Sequence, residues 1–168
     1  MTEMVLTTPR LVIDAYRPSD LPDLYRIATL PQVARMLLRF YPGMPMAEAE
    51  AILATDATTP PIRLVVRHQG RVVGSIGISD KHPPEIFYFL DPAVAGQGLA
   101  QEMTRAFLSE VQRRFDPPTL VATVFADNAA SSKVLEKIGF RASRKHEARS
   151  LGRPFPAPCI HYEWQRTG

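Results

Sequence analysis

A short glycine-containing turn is the segment of this sequence whose chemistry is easiest to interpret. Gly96-Gln97-Gly98 follows an apolar run that ends at Leu90, and it precedes a stretch of helical periodicity that begins at Leu99. Because glycine has no Cβ, successive backbone N–H groups can point into one concavity, and the positive end of the following helix adds to their field. The turn favours an anion site suited to a pyrophosphate. The alternative is a tight strand-to-helix turn that binds nothing.

The spacing around this turn argues against two common nucleotide-binding sites. Gln101 occupies the position of the third glycine in the dinucleotide fingerprint, and the turn lies mid-chain rather than in a first strand–helix–strand unit. No Gly-Lys-Ser/Thr sequence follows it, as a P-loop would require. The sequence therefore disfavours both a Rossmann dehydrogenase and a P-loop nucleoside triphosphatase.

Two acidic residues upstream of the turn could act as a general base. Asp80 follows a predicted strand on a turn that should border the cleft, and Glu85 opens the apolar strand before the glycines. Asp80 is the first candidate, acting directly or through a water, with an ordinary turn-forming aspartate as the alternative. Glu85 is the second candidate, with a solvated strand end as its alternative.

The sequence contains neither a recognisable nucleophilic triad nor a metal-binding pattern. Cys159 is the one cysteine, so no internal disulfide can form, and no catalytic partner is identifiable beside it. We interpret it as a small core residue. The histidines show no metal-ligand spacing; they are His68, His82, His146 and His161. We therefore expect no metal.

Three stretches of the chain together resemble the GNAT acetyltransferase superfamily. They run from Thr8 to Ile13, from Tyr88 to Ala100 across the glycine turn, and from Asn128 to Phe140. The last reads Asn-Ala-Ala-Ser-Ser-Lys-Val-Leu-Glu-Lys-Ile-Gly-Phe. The chain is most similar to the branch that includes the ribosomal-protein N-terminal acetyltransferases.

This resemblance implies an α+β fold with a mixed, centrally splayed β-sheet flanked by helices in three α/β/α layers, and acetyl-CoA as co-substrate. Backbone amides of the turn would hold the pyrophosphate; they belong to Gly96, Gln97, Gly98, Leu99 and Ala100. Phe89 and Leu90 would offer backbone groups to the pantetheine arm, as an added strand pairs with an open sheet edge. Asn128 would hydrogen-bond the cofactor, and Ser131 would face the sulfur and donate to the leaving thiolate.

Some of these positions have simpler interpretations. The family often has Gln or Arg three residues before the second glycine, where this chain has Ala95. That change removes one side-chain contact and leaves the anion site to the backbone amides. Without the resemblance, Asn128 would be a plain N-cap and Ser131 a serine in the first turn of a helix.

The elements that must position these residues follow from apolar periodicity. Strands are predicted at Leu11–Ala15, Ile62–Arg67, Val72–Ser79, Glu85–Leu90, Leu120–Phe125, Phe140–Ser143 and Ile160–Trp164. Helices are predicted in the N-terminal region, including Pro31–Phe40 and Ala47–Leu53, then at Leu99–Val111 and Asn128–Ile138. The crossover through the Leu99 helix should make the strands on either side of it parallel.

Length and charge set the remaining expectations. The chain has 168 residues, which fits one domain spanning 1–168, and its formal charge of +3 is weak support for a nucleic-acid partner. No stretch approaches the ~20 apolar residues of a membrane helix, and the N-terminus lacks a secretory signal. We expect a cytoplasmic protein without a membrane partner, which meets nucleic acid at most indirectly through the ribosome.

We therefore expect an acyltransferase that moves an acetyl group to a primary amine by direct attack in a ternary complex. The acceptor would be a protein N-terminal α-amine or a small-molecule amine. The alternative is a non-catalytic CoA-binding or sensing module with the same fold. Residues 20–55 and the loop 146–156 should wall the acceptor side. The basic residues in and beside this loop could attract an acidic peptide, a carboxylate or ribosomal RNA, or could form an ordinary solvated face; they are Arg141, Arg144, Lys145, Arg149 and Arg153. A terminal strand such as 158–165 could pair across a homodimer.

Overall fold

The computed structural model describes residues 2–167 and divides its strands between two sheets. The first is antiparallel, in the order β1-β2-β3-β4-β5, with bounds Leu6–Thr7, Leu11–Ala15, Ile62–His68, Arg71–Ile78 and Ile86–Leu90. The second has the order β6-β8-β7, with bounds Thr119–Phe125 (β6), Arg141–Ala148 (β7) and Ala157–Gln165 (β8). Helices span Leu21–Ala28 (α1), Pro31–Ala34 (α2), Met46–Leu53 (α3), Leu99–Phe115 (α4) and Ala129–Lys137 (α5).

The two sheets meet where β5 runs parallel to β6. The strands are joined at one end by a bridge between Glu85 and Val121, where the Val121 N–H donates to the Pro84 carbonyl at 3.0 Å. Beyond this bridge the described residues show no further pairing between β5 and β6: β5 pairs with β4 on its other edge, and β6 pairs with β8. This arrangement confirms the predicted mixed, centrally splayed α+β fold.

Two apolar clusters lie on opposite faces of the first sheet. Alternate residues of a strand point to opposite faces, so each face can bury its own helices. One cluster includes Ile76, Phe107 and Tyr162 and packs α4 against strands of both sheets. The other includes Ile27 and Phe89 and packs α1 to α3 on the opposite face. The sheet is therefore covered by helices on both sides.

Two expectations about the helices and strands were wrong. The helix predicted from Pro31 to Phe40 ends at Ala34, and the residues after it form turns in which Phe40 is buried while Leu38 and Arg39 are exposed. The strand around 158–165 is the centre of its sheet, hydrogen-bonded to β6 and β7 on its two edges, so it cannot pair across a dimer. Within residues 2–167 no helix is both long and apolar enough to cross a lipid bilayer.

Candidate active site

A cavity of about 870 Å³ opens where β5 and β6 diverge. Its size is typical of ligand sites. The lining includes the glycine turn, the length of β5 and the N-terminal turns of α5. It also includes the segment from Met36 to Phe40 and the residues around Ile52 at the end of α3. The splay thus joins the predicted cofactor turn to the N-terminal region that was expected to wall the acceptor side.

The glycine turn presents free N–H groups to this cavity. Gly96 and Gly98 both adopt φ +79°, a left-handed conformation that glycine tolerates, and a Cβ at Gly96 would meet no heavy atom within 4 Å. Within residues 2–167, the N–H groups from Gly96 through Gln101 donate to no protein acceptor. The first N–H groups of α4 are free for the usual reason that a helix offers them no partner. This open, amide-lined cradle fits a diphosphate.

Arg10 holds the outer side of the turn. Its guanidinium donates to the Gln97 carbonyl at 2.7 Å and to the Glu102 carboxylate at 2.8 Å. Thr8 also donates to Glu102, and these contacts hold the pKa of that carboxyl below its usual range. Because the Gln97 carbonyl is held by Arg10, the turn has a fixed orientation before any ligand arrives. The Thr8–Ile13 stretch therefore supports the glycine turn across the fold.

The free edge of β5 differs by one residue from the expectation. The Asp91 N–H donates to the Val73 carbonyl at 2.7 Å, and the Ser79 N–H donates to the Glu85 carbonyl at 2.9 Å. In an antiparallel ladder alternate residues bond to the same neighbour, so the polar backbone groups of Phe89 face β4. Those of Leu90 and Tyr88 face the splay. Tyr88 therefore replaces Phe89 as the second backbone position available to a ligand.

Asn128 and Ser131 both line the cavity at the start of α5. The Asn128 side-chain oxygen accepts from the Ser131 N–H at 3.2 Å, which is the N-cap that the sequence allowed. The amide nitrogen of Asn128 is left to donate elsewhere. The Ser131 Oγ lies 2.7 Å from the Tyr88 hydroxyl.

Tyr88 is a site residue whose side chain sequence reasoning missed. Burial raises its pKa to about 12, against a smaller opposing effect of the Ser131 hydrogen bond. The phenol is therefore fully protonated near neutral pH and can donate towards Ser131. No short-range pattern links the two residues, because they lie on different elements and meet across the splay.

The two acidic candidates occupy different environments. Asp80 is exposed and does not belong to the cavity lining. Glu85 lines the cavity, with its side chain 25% exposed and Lys81 at 3.9 Å. Among residues 2–167 the other carboxylate in the lining is Asp91, which already accepts from the Ala93 N–H and from Arg26. Glu85 is thus the carboxylate with free capacity inside the cavity.

The loop between β7 and β8 hydrogen-bonds to the segment from Met36 to Phe40, which lines the cavity. The Ser150 hydroxyl donates to the Leu37 carbonyl, and the Leu151 N–H donates to the Leu38 carbonyl at 3.0 Å. Arg153 pairs with Asp127 at 2.7 Å. Because β7 continues to Ala148, the loop begins later than expected, and its residues pack behind the cavity wall rather than lining it.

The basic character predicted for this region is partly cancelled. The Arg153 guanidinium lies 4.0 Å from the centre of the Phe125 ring and donates to the Arg35 carbonyl at 2.6 Å, in addition to its pair with Asp127. The remaining basic residues lie exposed on β7 or just after it; they are Arg141, Arg144, Lys145 and Arg149.

Cys159 is buried on β8 at the cavity wall, where burial raises the pKa of its thiol. This agrees with a neutral core residue. Within residues 2–167 no cluster of three or more His, Cys, Asp or Glu side chains could hold a metal ion.

Comparison with known proteins gives the family. The model for the Acetyltransferase (GNAT) domain matches residues 10–141. A relative from Salmonella typhimurium strain LT2, the peptidyl-lysine N-acetyltransferase YjaB, is 26% identical over 116 residues, which cover 69% of this chain and 74% of the relative.

Solved structures with the same fold cover nearly the whole chain. A GNAT-family acetyltransferase from Bacillus anthracis superposes with a TM-score of 0.82 at 18% identity, covering 96% of this chain and 98% of that one. RimL, a ribosomal L7/L12 α-N-protein acetyltransferase solved with coenzyme A, gives 0.78 at 17% identity and covers 96% and 98%. These structures support the fold. The family follows from the domain match. Members of that family use acetyl-CoA and act on amine acceptors. The predicted resemblance is confirmed: the chain belongs to the GNAT acetyltransferase family and is an acyltransferase.

Proposed function

We propose that this acyltransferase moves the acetyl group of acetyl-CoA to a primary amine by direct attack within a ternary complex. The observation that carries the proposal is the run of free N–H groups from Gly96 to Gln101 at one end of a cavity that also contains Glu85. One cavity therefore combines free backbone N–H groups, an unpaired strand edge and a carboxylate, which support an anion site and a general base. Direct transfer needs these three together, because much of its rate comes from holding the amine against the thioester.

Binding would use mainly the backbone. The N–H groups of the turn and the positive end of α4 favour the two phosphates. The edge groups of Leu90 and Tyr88 would bond to the amides of the pantetheine arm, much as a strand adds to a sheet. The Asn128 amide nitrogen would donate to the same arm. A backbone N–H of β5 would also polarise the thioester carbonyl.

Glu85 would take the proton that the amine must lose before or during attack. An α-amine has a pKa near 8 and needs only a weak base, whereas a lysine side chain near 10.4 needs more help. Glu85 is preferred to Asp80 because it lines the cavity. It would act directly or through a water.

Ser131 would donate a hydrogen bond to the sulfur as the carbon–sulfur bond breaks and negative charge develops on the leaving thiolate. The Tyr88 phenol, 2.7 Å from the Ser131 Oγ, would donate a hydrogen bond to Ser131 in turn. Both hydroxyls keep their protons, and the thiolate is released to solvent. Because the pKa of Tyr88 is about 12, this donor is protonated throughout the neutral range. The relatives are named for a peptide lysine and for a protein N-terminus, so both kinds of amine belong in the test.

The test measures thiol release from acetyl-CoA over a panel of primary amines. We expect release that depends on the amine, and a loss of about 100-fold in kcat for Glu85→Gln, as for removal of a general base, with unchanged acetyl-CoA affinity. Asp80→Asn should stay near wild type. The reverse ranking would move the base to Asp80. Binding of acetyl-CoA without turnover on any amine would instead support a CoA-sensing module.

A further inference from the structure

Arg63 on β3 places a positive charge on the cavity wall without a counter-charge. It lines the cavity on the sheet face that packs against α1 to α3. Within residues 2–167 no carboxylate oxygen lies within the 4.0 Å of a salt bridge to it. Its guanidinium donates only a long hydrogen bond, 3.4 Å, to the buried Ser75 hydroxyl. Arg63 is half-buried, and an arginine largely withdrawn from water without a paired carboxylate is uncommon, so this charge needs an explanation.

The guanidinium is held in place by two aromatic rings. Its central carbon lies 4.6 Å from the centre of the Phe87 ring and 6.0 Å from that of Phe40. Arg63, Gly77 and Phe87 are direct neighbours across β3, β4 and β5. A Cβ at Gly77 would come within 2.5 Å of the Phe87 ring, so the missing side chain is what lets the ring lie there. The position of the charge is therefore built into the sheet.

Burial makes the Arg63 charge energetically unfavourable, and Arg39 places a second positive charge nearby. Burial and, to a smaller extent, the nearby positive charge of Arg39 together lower the pKa of Arg63 to about 10. Arg63 is still protonated near neutral pH. Arg39 is exposed and also lines the cavity. A half-buried charge without a paired carboxylate is destabilising, and an incoming anion would reduce that cost.

The Thr55 hydroxyl lies on the segment whose backbone contacts that of Arg63, and it has no hydrogen-bond partner within the described residues. The Thr55 Oγ1 is buried and has no hydrogen-bond partner, and Thr55 lines the same cavity. The next residue, Asp56, accepts the Arg63 N–H through its carbonyl at 3.4 Å. Buried hydroxyls are normally bonded, but this oxygen is closed off by protein atoms, so the anion site depends on the Arg63 guanidinium.

We infer that Arg63 binds a carboxylate of the acceptor, so that the acceptor is an amine that carries an anionic group, as an amino acid does. This inference rests on the proposed acetyl transfer and names its substrate class. The planar guanidinium fork matches a carboxylate and forms strong, charge-assisted hydrogen bonds with it. The same charge disfavours purely cationic acceptors such as polyamines. The carboxylate could belong to a free amino acid or to an acidic residue at a peptide N-terminus.

The test compares acceptors that differ only in this charge. For the wild type we measure kcat/KM on free amino acids and their amides, and on peptides with an N-terminal Asp or Asn. We expect a preference of about 10- to 100-fold for the acid in at least one of the two series, which also identifies the source of the carboxylate. Arg63→Met should bring acid and amide to parity, and Arg63→Lys should keep part of the preference. The exposed Arg71 on β4 provides the control, since Arg71→Met should retain the full preference.

Parity of acid and amide in the wild type in both series would overturn the inference without the need for any variant. An equal loss on acid and amide in Arg63→Met would do the same, because it would indicate a purely structural role. Failure of the proposed function looks different: no amine would release thiol from acetyl-CoA. In that case the thermal shift given by an amino acid, compared with its amide, still reports on Arg63. An equal shift from both would reject the carboxylate site.

Discussion

The two ends of the cavity are built from different groups of the protein. The cofactor end consists of consecutive backbone N–H groups from Gly96 to Gln101, fixed from behind by Arg10. The acceptor end consists of side chains such as Arg63 and Phe40, which lie far apart in the sequence. Backbone groups suit a ligand part that never changes, and side chains can vary with the acceptor. Under the proposed function, the backbone end would bind the cofactor and the side-chain end would select the acceptor.

The strongest way to break the cofactor end is to fill its cradle. Gly96→Glu puts a carboxylate where the diphosphate would lie, and we expect acetyl-CoA binding to be lost in calorimetry, a fall of at least about 100-fold. Gly43→Glu is the matched control, since Gly43 also has φ +79° and open space around its Cβ position but lies outside the cavity lining. The control carries the same backbone strain.

Wild-type affinity in Gly96→Glu would remove the turn from the binding site. Equal losses in Gly96→Glu and Gly43→Glu would mean that strain, rather than charge in the cradle, explains the effect. Melting curves of both variants separate these two cases.

Removing the contacts of Arg153, which hold the acceptor end of the cavity in place, should have a smaller effect than filling the cradle. Arg153→Met removes the contact with Phe125, the hydrogen bond to the Arg35 carbonyl and the pair with Asp127. Together these contribute about 2 kcal/mol, because Asp127 is partly exposed and its pair is worth at most about 1 kcal/mol. A chain of this size should lose about 4–8 °C in Tm. The acceptor KM should rise several-fold while the acetyl-CoA affinity holds.

The pH dependence of this stability loss has a defined sign. Arg153 lowers the pKa of Asp127 below its usual range. The pair therefore stabilises the fold above the unfolded value near about 3.9, and its contribution is lost as the pH falls through the lower folded value. The Tm gap between wild type and Arg153→Met should narrow in acid. The exposed Arg144 on β7 is the control, and a gap as large in Arg144→Met would contradict the account.

The sequence predicted the backbone geometry of the glycine turn and of the α5 N-cap well, because the determinants of that geometry are local. Gly96 and Gly98 adopt the left-handed conformation expected of such a turn, and Asn128 caps the helix that it precedes. The strand positions of β2 to β6 also follow from apolar runs. The one error on this edge, Phe89 in place of Tyr88, arose because hydrogen-bond direction alternates along a strand and depends on the partner's register.

The acceptor end could not be predicted in the same way. Pro31 and the apolar spacing up to Phe40 favour a helix, but packing of the 149–156 loop holds the last residues in turns. Arg63 looked like an ordinary polar position in a strand. Whether a carboxylate lies beside Arg63 depends on which side chains α3, β4 and β5 place around it in the folded protein. The choice between Asp80 and Glu85 likewise depends on the cavity and not on spacing.

The most direct test of the central claim follows the backbone amides themselves. In an NMR titration with coenzyme A, we predict that the largest N–H shifts occur from Gly96 to Gln101, with smaller shifts at Tyr88 and Leu90. The backbone amides of Thr55 and Arg63 should move little, because they belong to the acceptor end. Unchanged signals from Gly96 to Gln101 at saturating coenzyme A would contradict the account, since a bound diphosphate cannot leave those donors in the same environment.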